Sequence, residues 1–371
     1  VRRPSSLEPR VKDALRIAAF ELLYLETPQE VAVSQGVELV RSVAPRATAL
    51  ANALLRRIGS ELRPQIDAAR DALIARAARP DELRLVSGLP LWLLDRISHD
   101  RGAAAAASLA QANLEPAPVY VFAEDPASLE RFSPLPTDLD ATFELQAPGD
   151  LFDSGLVQSG AVVVSDLSAH RICALIAAHA PASILEVGQG SGTKTLIIAR
   201  RCDAEITAID LLGSKVAVAR ERLDRAGLGN RVASLSFDAM RLGEKDVPPE
   251  LDRLFDLVFV DAPCSGTGTM RRHPEIASTL TSEAVSELAR LQLELLSASS
   301  IRVAPGGKLI YSTCSVLIQE NEAVIDAFLA SCAGADFVRT GTDLQSFPAP
   351  SAPDGHYCAV LTKRGVPFRA R

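Results

Sequence analysis

From about residue 160 onward, short runs rich in β-branched side chains alternate with stretches whose apolar residues recur at helical spacing. The runs are Ala161–Val164, Ser183–Val187, Glu205–Ile209, Val232–Phe237, Phe255–Val260 and Lys308–Tyr311, with helical patterns such as Lys215–Ala226 and Ser282–Val303 between them. Strands separated by helices return to the sheet in parallel, so this order predicts a doubly wound α/β sheet. Such sheets take ligands at the carboxyl ends of their strands, which makes the residues just after each run the first place to look for chemistry.

Upstream the pattern changes. Between Arg10 and about Ala78 the apolar residues (Val11, Leu15, Ala18, Ala19, Leu22, then Leu39, Val40, Val43) keep helical spacing with no strand-like alternation, which predicts a small all-α domain over residues 1–80. Residues 81–150 carry prolines at 90, 116, 118, 126, 134, 136 and 148 and read as a connecting region with short helical and strand-like pieces. The Ala103–Ala107 run is a piece of Ala-rich helix. A chain of 371 residues has room for these divisions.

The formal net charge of −7 at first argues against a nucleic-acid partner. By segment the picture differs. Residues 1–80 hold 13 Lys and Arg against 9 Asp and Glu, residues 81–150 hold 4 against 12, and the remainder 22 against 25. The acidity therefore lies in the connector, and the helical domain is mildly basic. Arg56-Arg57, closing the Ala49–Leu55 run, is either a solvated helix terminus or a phosphate contact.

Six cysteines are scattered without a C-x-x-C pair or a metal-like cluster, so no metal site and no disulfide framework is expected, and reduced thiols fit a cytoplasmic protein. No apolar run is long enough to span a bilayer, and the start, Val1-Arg2-Arg3-Pro4, lacks the apolar core of a secretory signal. Val1 in place of Met gives the expectation of a trimmed chain.

After the run ending at Val187 comes Gly188-Gln189-Gly190-Ser191-Gly192-Thr193-Lys194-Thr195, followed by a helix. Glycines there let a ligand approach the backbone, and the helix start offers amides to a carboxylate or phosphate, although glycines that only tighten a turn look the same. Thr193 stands where a G-x-G-x-x-G dinucleotide loop wants a third small residue, which weakens a nicotinamide reading. Asp210 ends the next strand, where a carboxylate can take both hydroxyls of a ribose. Asp238 sits at the corresponding end of the following one, as a partner for an adenine edge or a solvated loop carboxylate.

Isolated cysteines are usually inert packing residues, the reading for Cys173, Cys202, Cys332 and Cys358. Cys264 and Cys314 differ, each lying just past a strand in Ser/Thr/Gly surroundings: Asp261-Ala262-Pro263-Cys264-Ser265-Gly266-Thr267-Gly268-Thr269, running on through Met270-Arg271-Arg272-His273-Pro274-Glu275, and Tyr311-Ser312-Thr313-Cys314-Ser315, followed by Glu320-Asn321-Glu322. These two segments resemble the signature motifs of RNA cytosine-5 methyltransferases with paired cysteines, and more closely those of the Sun (RsmB) family acting on ribosomal RNA. Leu89–Leu94, Gly160–Asp166, Ala304–Lys308 and Asp354-Gly355-His356-Tyr357 support the resemblance, and the amino-terminal helices resemble that family's NusB-like RNA-binding domain, entered partway. One departure stands out. The family usually carries D-x-C-A-A-P-G-G-K-T at the cofactor loop, whereas Glu186, Gly188, Gln189, Gly190, Ser191 and Thr193 stand here and only Gly192, Lys194 and Thr195 are kept.

The resemblance implies a class I (Rossmann-like) methyltransferase domain over 151–371, the NusB-like domain over 1–80, and a small α+β connecting region over 81–150. It implies S-adenosylmethionine as cofactor, held by the loop from Glu186 to Lys194 with Asp210, Asp238 and Asp261. Cys314 is then the nucleophile, Asp261 holds the cytosine edge and Cys264 assists release of the product. Lys194 could meet the cofactor or the RNA backbone, and Arg271, Arg272 and His273 could contact phosphates, His273 equally being plain surface charge. The implied partner is RNA, small-subunit ribosomal RNA first, with an unpaired or flipped target base; a monomer is expected. Two alternatives stay open: the same chemistry on transfer RNA, and a non-catalytic RNA-binding or assembly factor with a diverged cofactor loop. The modest positive charge predicts weak affinity for naked RNA and a shallow slope of log K against log salt, and a steep slope in a filter-binding series would reveal local basic patches that segment sums miss.

Overall fold

The computed structural model describes residues 7–365, so the opening residues 1–4 lie outside it. The chain forms two compact units, Val1–Ala110 and Gln111–Arg371.

The first unit is helical: α1 (Pro9–Tyr24), α2 (Gln29–Val43), α3 (Thr48–Glu61), α4 (Arg63–Ile74), α5 (Pro80–Ser87) and α6 (Leu91–Arg101), with α7 (Ala103–Ala112) spanning the division. Proline within the first turn starts α1, α4 and α5, where its missing N–H costs nothing. Val11, Leu15, Ala18 and Leu22 of α1 pack with Ala32, Val33, Val37 and Val40 of α2 and with Ala51 and Leu55 of α3. The compact unit runs past the expected domain end at residue 80, because residues 81–110 supply α5, α6 and most of α7.

The second unit begins with a small antiparallel sheet of β1 (Val119–Ala123), β2 (Pro134–Pro136), β3 (Thr142–Leu145) and β4 (Val162–Val164), in the order β2-β3-β1-β4. The sequence places Ala161–Val164 in the doubly wound sheet, but β4 pairs antiparallel with β1 instead, which also carries this small sheet across the expected boundary at 150.

The main sheet follows in chain order: α8 (Leu167–Ala178), β5 (Ser183–Val187), α9 (Thr193–Arg201), β6 (Glu205–Asp210), α10 (Gly213–Arg225), β7 (Val232–Ser236), β8 (Phe255–Asp261), α11 (Glu275–Thr279), α12 (Ser282–Ser300), β9 (Val303–Thr313), α13 (Glu322–Ala330), β10 (Phe337–Arg339), β11 (Leu344–Ser346) and β12 (His356–Lys363). Its strands lie in the order β10-β12-β9-β8-β5-β6-β7, with β11 paired to β12. Strands β5 to β9 run parallel, and β12 is antiparallel to β9. The order reverses at β5, which pairs with both β6 and β8, and ligands bind such sheets where strand order reverses.

Burial on both faces explains why the central strands read as unbroken apolar runs. Leu257 and Phe259 of β8 pack with Ile172 and Ile176 of α8 and Ile197 of α9, while Val258 and Val260 face Leu296 of α12 and Phe328 of α13. Truncating Phe259 to alanine would leave a cavity between β8 and the helices. A loss of about 3–5 kcal/mol is expected in urea unfolding of this unit. A loss below about 1 kcal/mol would show that the packing there readjusts freely.

Candidate active site

Strands β8 and β9 pair with Asp261 opposite Ser312, so the loops after them leave the sheet side by side. The Gly268 N–H donates to the Cys314 carbonyl at 2.9 Å, binding one loop to the other. Cys264 Sγ and Cys314 Sγ are 3.3 Å apart, and the Cys314 N–H also donates to Cys264 Sγ at 3.3 Å. Between the strands, Asp261 accepts from Lys194 Nζ at 2.7 Å and from Ser312 Oγ at 3.0 Å. A cavity of about 680 Å³ opens beside the thiols and Lys194, lined by Lys194, Cys264 and Cys314 together with Tyr120, Asp166, Arg272 and His356.

The two thiols are shifted in opposite directions. The hydrogen bond from Cys264, with the Lys194 ammonium close by, pulls Cys314 below the ordinary thiol value against the opposing effect of burial. The same hydrogen bond, together with burial, pushes Cys264 well above it. Burial opposes the Lys194 charge, but Asp261 outweighs burial and holds the ammonium above the usual lysine range. Burial pushes Cys173 and Cys358 up, as fits inert packing thiols.

Beside this centre, the loop from β5 to α9 forms a cradle. The Gly188 and Gln189 N–H groups donate to the Ile209 carbonyl, and the Gly190 N–H donates to Asp210 at 2.8 Å. Asp210 also accepts from the Leu212 N–H at 2.9 Å, which fixes its carboxylate at the carboxyl end of β6. Gly188 and Gly190 both have positive φ; a Cβ on Gly188 would stand 2.3 Å from the Asp261 carbonyl, whereas one on Gly190 would meet open space. Glu186 is 1% exposed and neither of its carboxylate oxygens finds a hydrogen-bond partner. An unpartnered buried carboxyl, an open glycine face and an anchored strand-end carboxylate together suit a ligand with amino, hydroxyl and sulfonium groups, such as S-adenosylmethionine.

Residues 173–362 match the family model described as 16S rRNA methyltransferase RsmB/F, and residues 2–60 match the NusB family. The chain belongs to the 16S rRNA methyltransferase RsmB/F family. It is 30% identical over 368 residues to the ribosomal RNA small subunit methyltransferase B of Vibrio cholerae, covering 94% of this chain and 80% of that one. It is 29% identical over 388 residues to the protein of the same name from Yersinia enterocolitica, covering 98% and 84%. A solved methyltransferase homolog protein from Pyrococcus horikoshii shares the fold, with a TM-score of 0.64 at 21% identity over 76% of this chain and 98% of its own.

Within this RsmB/F scaffold the structure brings Cys264, Cys314, Asp261 and Lys194 together and sets Glu186, Gly190 and Asp210 beside them. Other sequence-predicted residues do different work. Gln189 Nε2 donates to Ser234 Oγ at 2.8 Å, and Arg222 donates to Ser191 and to Thr193 Oγ1, so these three side chains brace the loop, and Gly192 precedes the first turn of α9. Asp238 caps a short turn by accepting from the Met240 N–H at 3.0 Å. Lys194 pairs with Asp261 at 2.7 Å.

The expected phosphate contact at Arg271 is corrected: its side chain is 1% exposed, with Nε donating to Asp354 at 2.6 Å. Arg272 is 29% exposed and spends its guanidinium on Asp354, Asp166 and the Pro118 carbonyl. His273 is 57% exposed beside Glu275 at the cavity mouth. On α3, Arg57 pairs with Glu61 and Arg56 Nε donates to Asn52, both exposed. Sequence reasoning assigned no site role to Tyr120, Asp166 or His356; the long chain separations among them left no local spacing to read.

Burial raises Glu186 from an ordinary 4.5 to about 8. The folded chain thus holds a neutral acid that the unfolded chain ionises, so its contribution is fully present below about pH 4.5 and is lost as pH rises through about 8. Glu186→Gln should raise the urea midpoint relative to the parent at pH 9 and leave it little changed at pH 4. Equal shifts at both pH values would show that the carboxyl is not the cause.

Proposed function

We propose that this chain is an S-adenosylmethionine-dependent RNA cytosine-5 methyltransferase acting on small-subunit ribosomal RNA, working as a monomer in the cytoplasm. The observation that carries the reading is the thiol pair 3.3 Å apart, one side of it held acidic, next to the Lys194–Asp261 pair over a cavity at the sheet's carboxyl edge. The ribosomal substrate rests on the family and on the relatives' names.

Cytosine C5 is too weak a nucleophile to take a methyl group unaided. The Cys314 thiolate attacks C6, forming a C–S bond and moving the C5–C6 electron pair into the ring, where C5 becomes nucleophilic. Asp261 accepts from the exocyclic amine of the base and Lys194 neutralises the negative charge that the attack creates. S-adenosylmethionine, held along Glu186, Gly190 and Asp210, supplies an electrophilic methyl group when bound. Cys264 sits 3.3 Å from the sulfur that now holds the base. Cys264 can then lose its proton to solvent and take the one on C5, and as that C–H bond breaks the electron pair expels Cys314 as a thiolate. The base must be unstacked to enter, so a loop or partly unfolded RNA is the fitting substrate.

Two variants test the roles. Cys264→Ala should accumulate a protein–RNA adduct that survives denaturing electrophoresis, and Cys314→Ala should form none. Adduct in the second and not the first would reverse the roles. Bisulfite mapping of ribosomal and transfer RNA from cells with and without the gene decides the substrate, and calorimetry showing no binding at millimolar S-adenosylmethionine would leave the assembly-factor reading.

A further inference from the structure

The segment after Cys314 ends in Glu320-Asn321, and neither side chain has a part in the chemistry above. Glu320 is fully buried, at 0% exposure, directly beneath the two cysteine loops. One of its oxygens accepts from the Ser265 N–H at 2.8 Å and from Gln292 Nε2 at 3.0 Å. The other accepts from Ser265 Oγ and Ser315 Oγ, each at 2.5 Å. Four donors occupy the four lone-pair positions of one carboxylate, and they come from the residue after Cys264, the residue after Cys314 and helix α12.

Its neighbours tighten the same bracket. Asn321 donates to the Ser315 carbonyl at 2.9 Å and accepts from Thr313 Oγ1 at 2.5 Å, so it grips the residues on either side of Cys314. Tyr311 Oη donates to the Glu320 carbonyl at 2.6 Å, and Gln292 Nε2 reaches the Pro263 carbonyl just ahead of Cys264 at 2.9 Å. Burying a carboxylate this deeply costs several kcal/mol unless its hydrogen bonds are complete. A packing role alone would be met by an apolar side chain without that cost.

We propose that Glu320 is the positioning residue of the thiol pair: its carboxylate ties Ser265 to Ser315 and so holds Cys264 at hydrogen-bonding distance from Cys314. The inference rests on the cytosine-5 reading, in which Cys264 acts only after Cys314 has bonded to the base. A looser Cys264 would leave attack by Cys314 possible and slow the release step.

Glu320→Gln keeps the size but replaces one acceptor oxygen with a donor, so one of the two donor pairs, the serine hydroxyls or the Ser265 N–H with Gln292 Nε2, loses its acceptor. With small-subunit ribosomal RNA purified from cells lacking the gene, this variant should lose turnover on the order of 100-fold with KM for S-adenosylmethionine unchanged. It should also accumulate the denaturant-stable adduct although Cys264 is present. Ser315→Ala removes a single donor and should move both readouts in the same direction by less, and it decides the matter if Glu320→Gln fails to fold. Cys264→Ala, run alongside, separates the two claims. Adduct in Cys264→Ala with none in the Glu320→Gln and Ser315→Ala proteins would overturn the positioning role and leave the reaction standing, as would near-normal turnover in both. No adduct in any of them would overturn the cytosine-5 reading and the inference with it.

Discussion

The parallel pairing of β8 with β9 is the constraint on which the site depends. Side chains alternate faces along a strand, so a slip of one residue would send Asp261 to the other side of the sheet and part it from Ser312 and Lys194. The register is fixed far from the site by the apolar rows of β8, whose alternate residues are buried against helices on opposite faces. Two loops that start level can then be laced together at their backbones, and Cys264 and Cys314, 50 residues apart, come to share a hydrogen bond. Core packing and thiol chemistry are thus two ends of one strand pairing.

Charge around the cavity is arranged in closed sets. Asp354 accepts from both Arg271 and Arg272, Asp166 shares Arg272, and Asp261 holds Lys194. The pairs are buried or half-buried, where an unpartnered charge would cost several kcal/mol, so the arginines are tied to the scaffold. They lock the loop after Cys264 onto the start of β12 and the end of β4. A base entering this cavity meets hydrogen-bonding groups of fixed orientation and little uncompensated field.

Much of this was legible in the sequence, because the parts that were legible are local. Strand runs such as Phe255–Val260 show their burial directly, and Cys264 and Cys314 betray themselves by standing in polar loops just past such runs. What stayed hidden depends on partners far along the chain. Arg271-Arg272 reads as a basic pair for phosphates until Asp354, more than 80 residues away, is seen to hold both, with Asp166 as the second counter-charge. The run Ala161–Val164 reads as one more strand of the main sheet, and only pairing with β1 assigns it to the small one. β12, with His356 facing the cavity, has no helical crossover before it, so the alternation that revealed the other strands passes over it.

The cofactor loop shows why departures from a family pattern are best judged on the backbone. Here Gly188 occupies a left-handed conformation with the Asp261 carbonyl where a Cβ would have to go, so the cysteine that the RsmB family usually carries at this point could not be accommodated on this backbone. The other substitutions follow from that turn. Gly190 N–H is aimed at Asp210, Gln189 reaches Ser234, and Arg222 gathers Ser191 and Thr193. Each of these side chains finds a partner within the fold. The loop is thus held as a unit that leads into Lys194 and Thr195 at the start of α9. Because Gly188 abuts Asp261 itself, the glycine cradle and the carboxylate that pairs with Lys194 are mechanically joined, and a shift in the loop is felt directly at that pair.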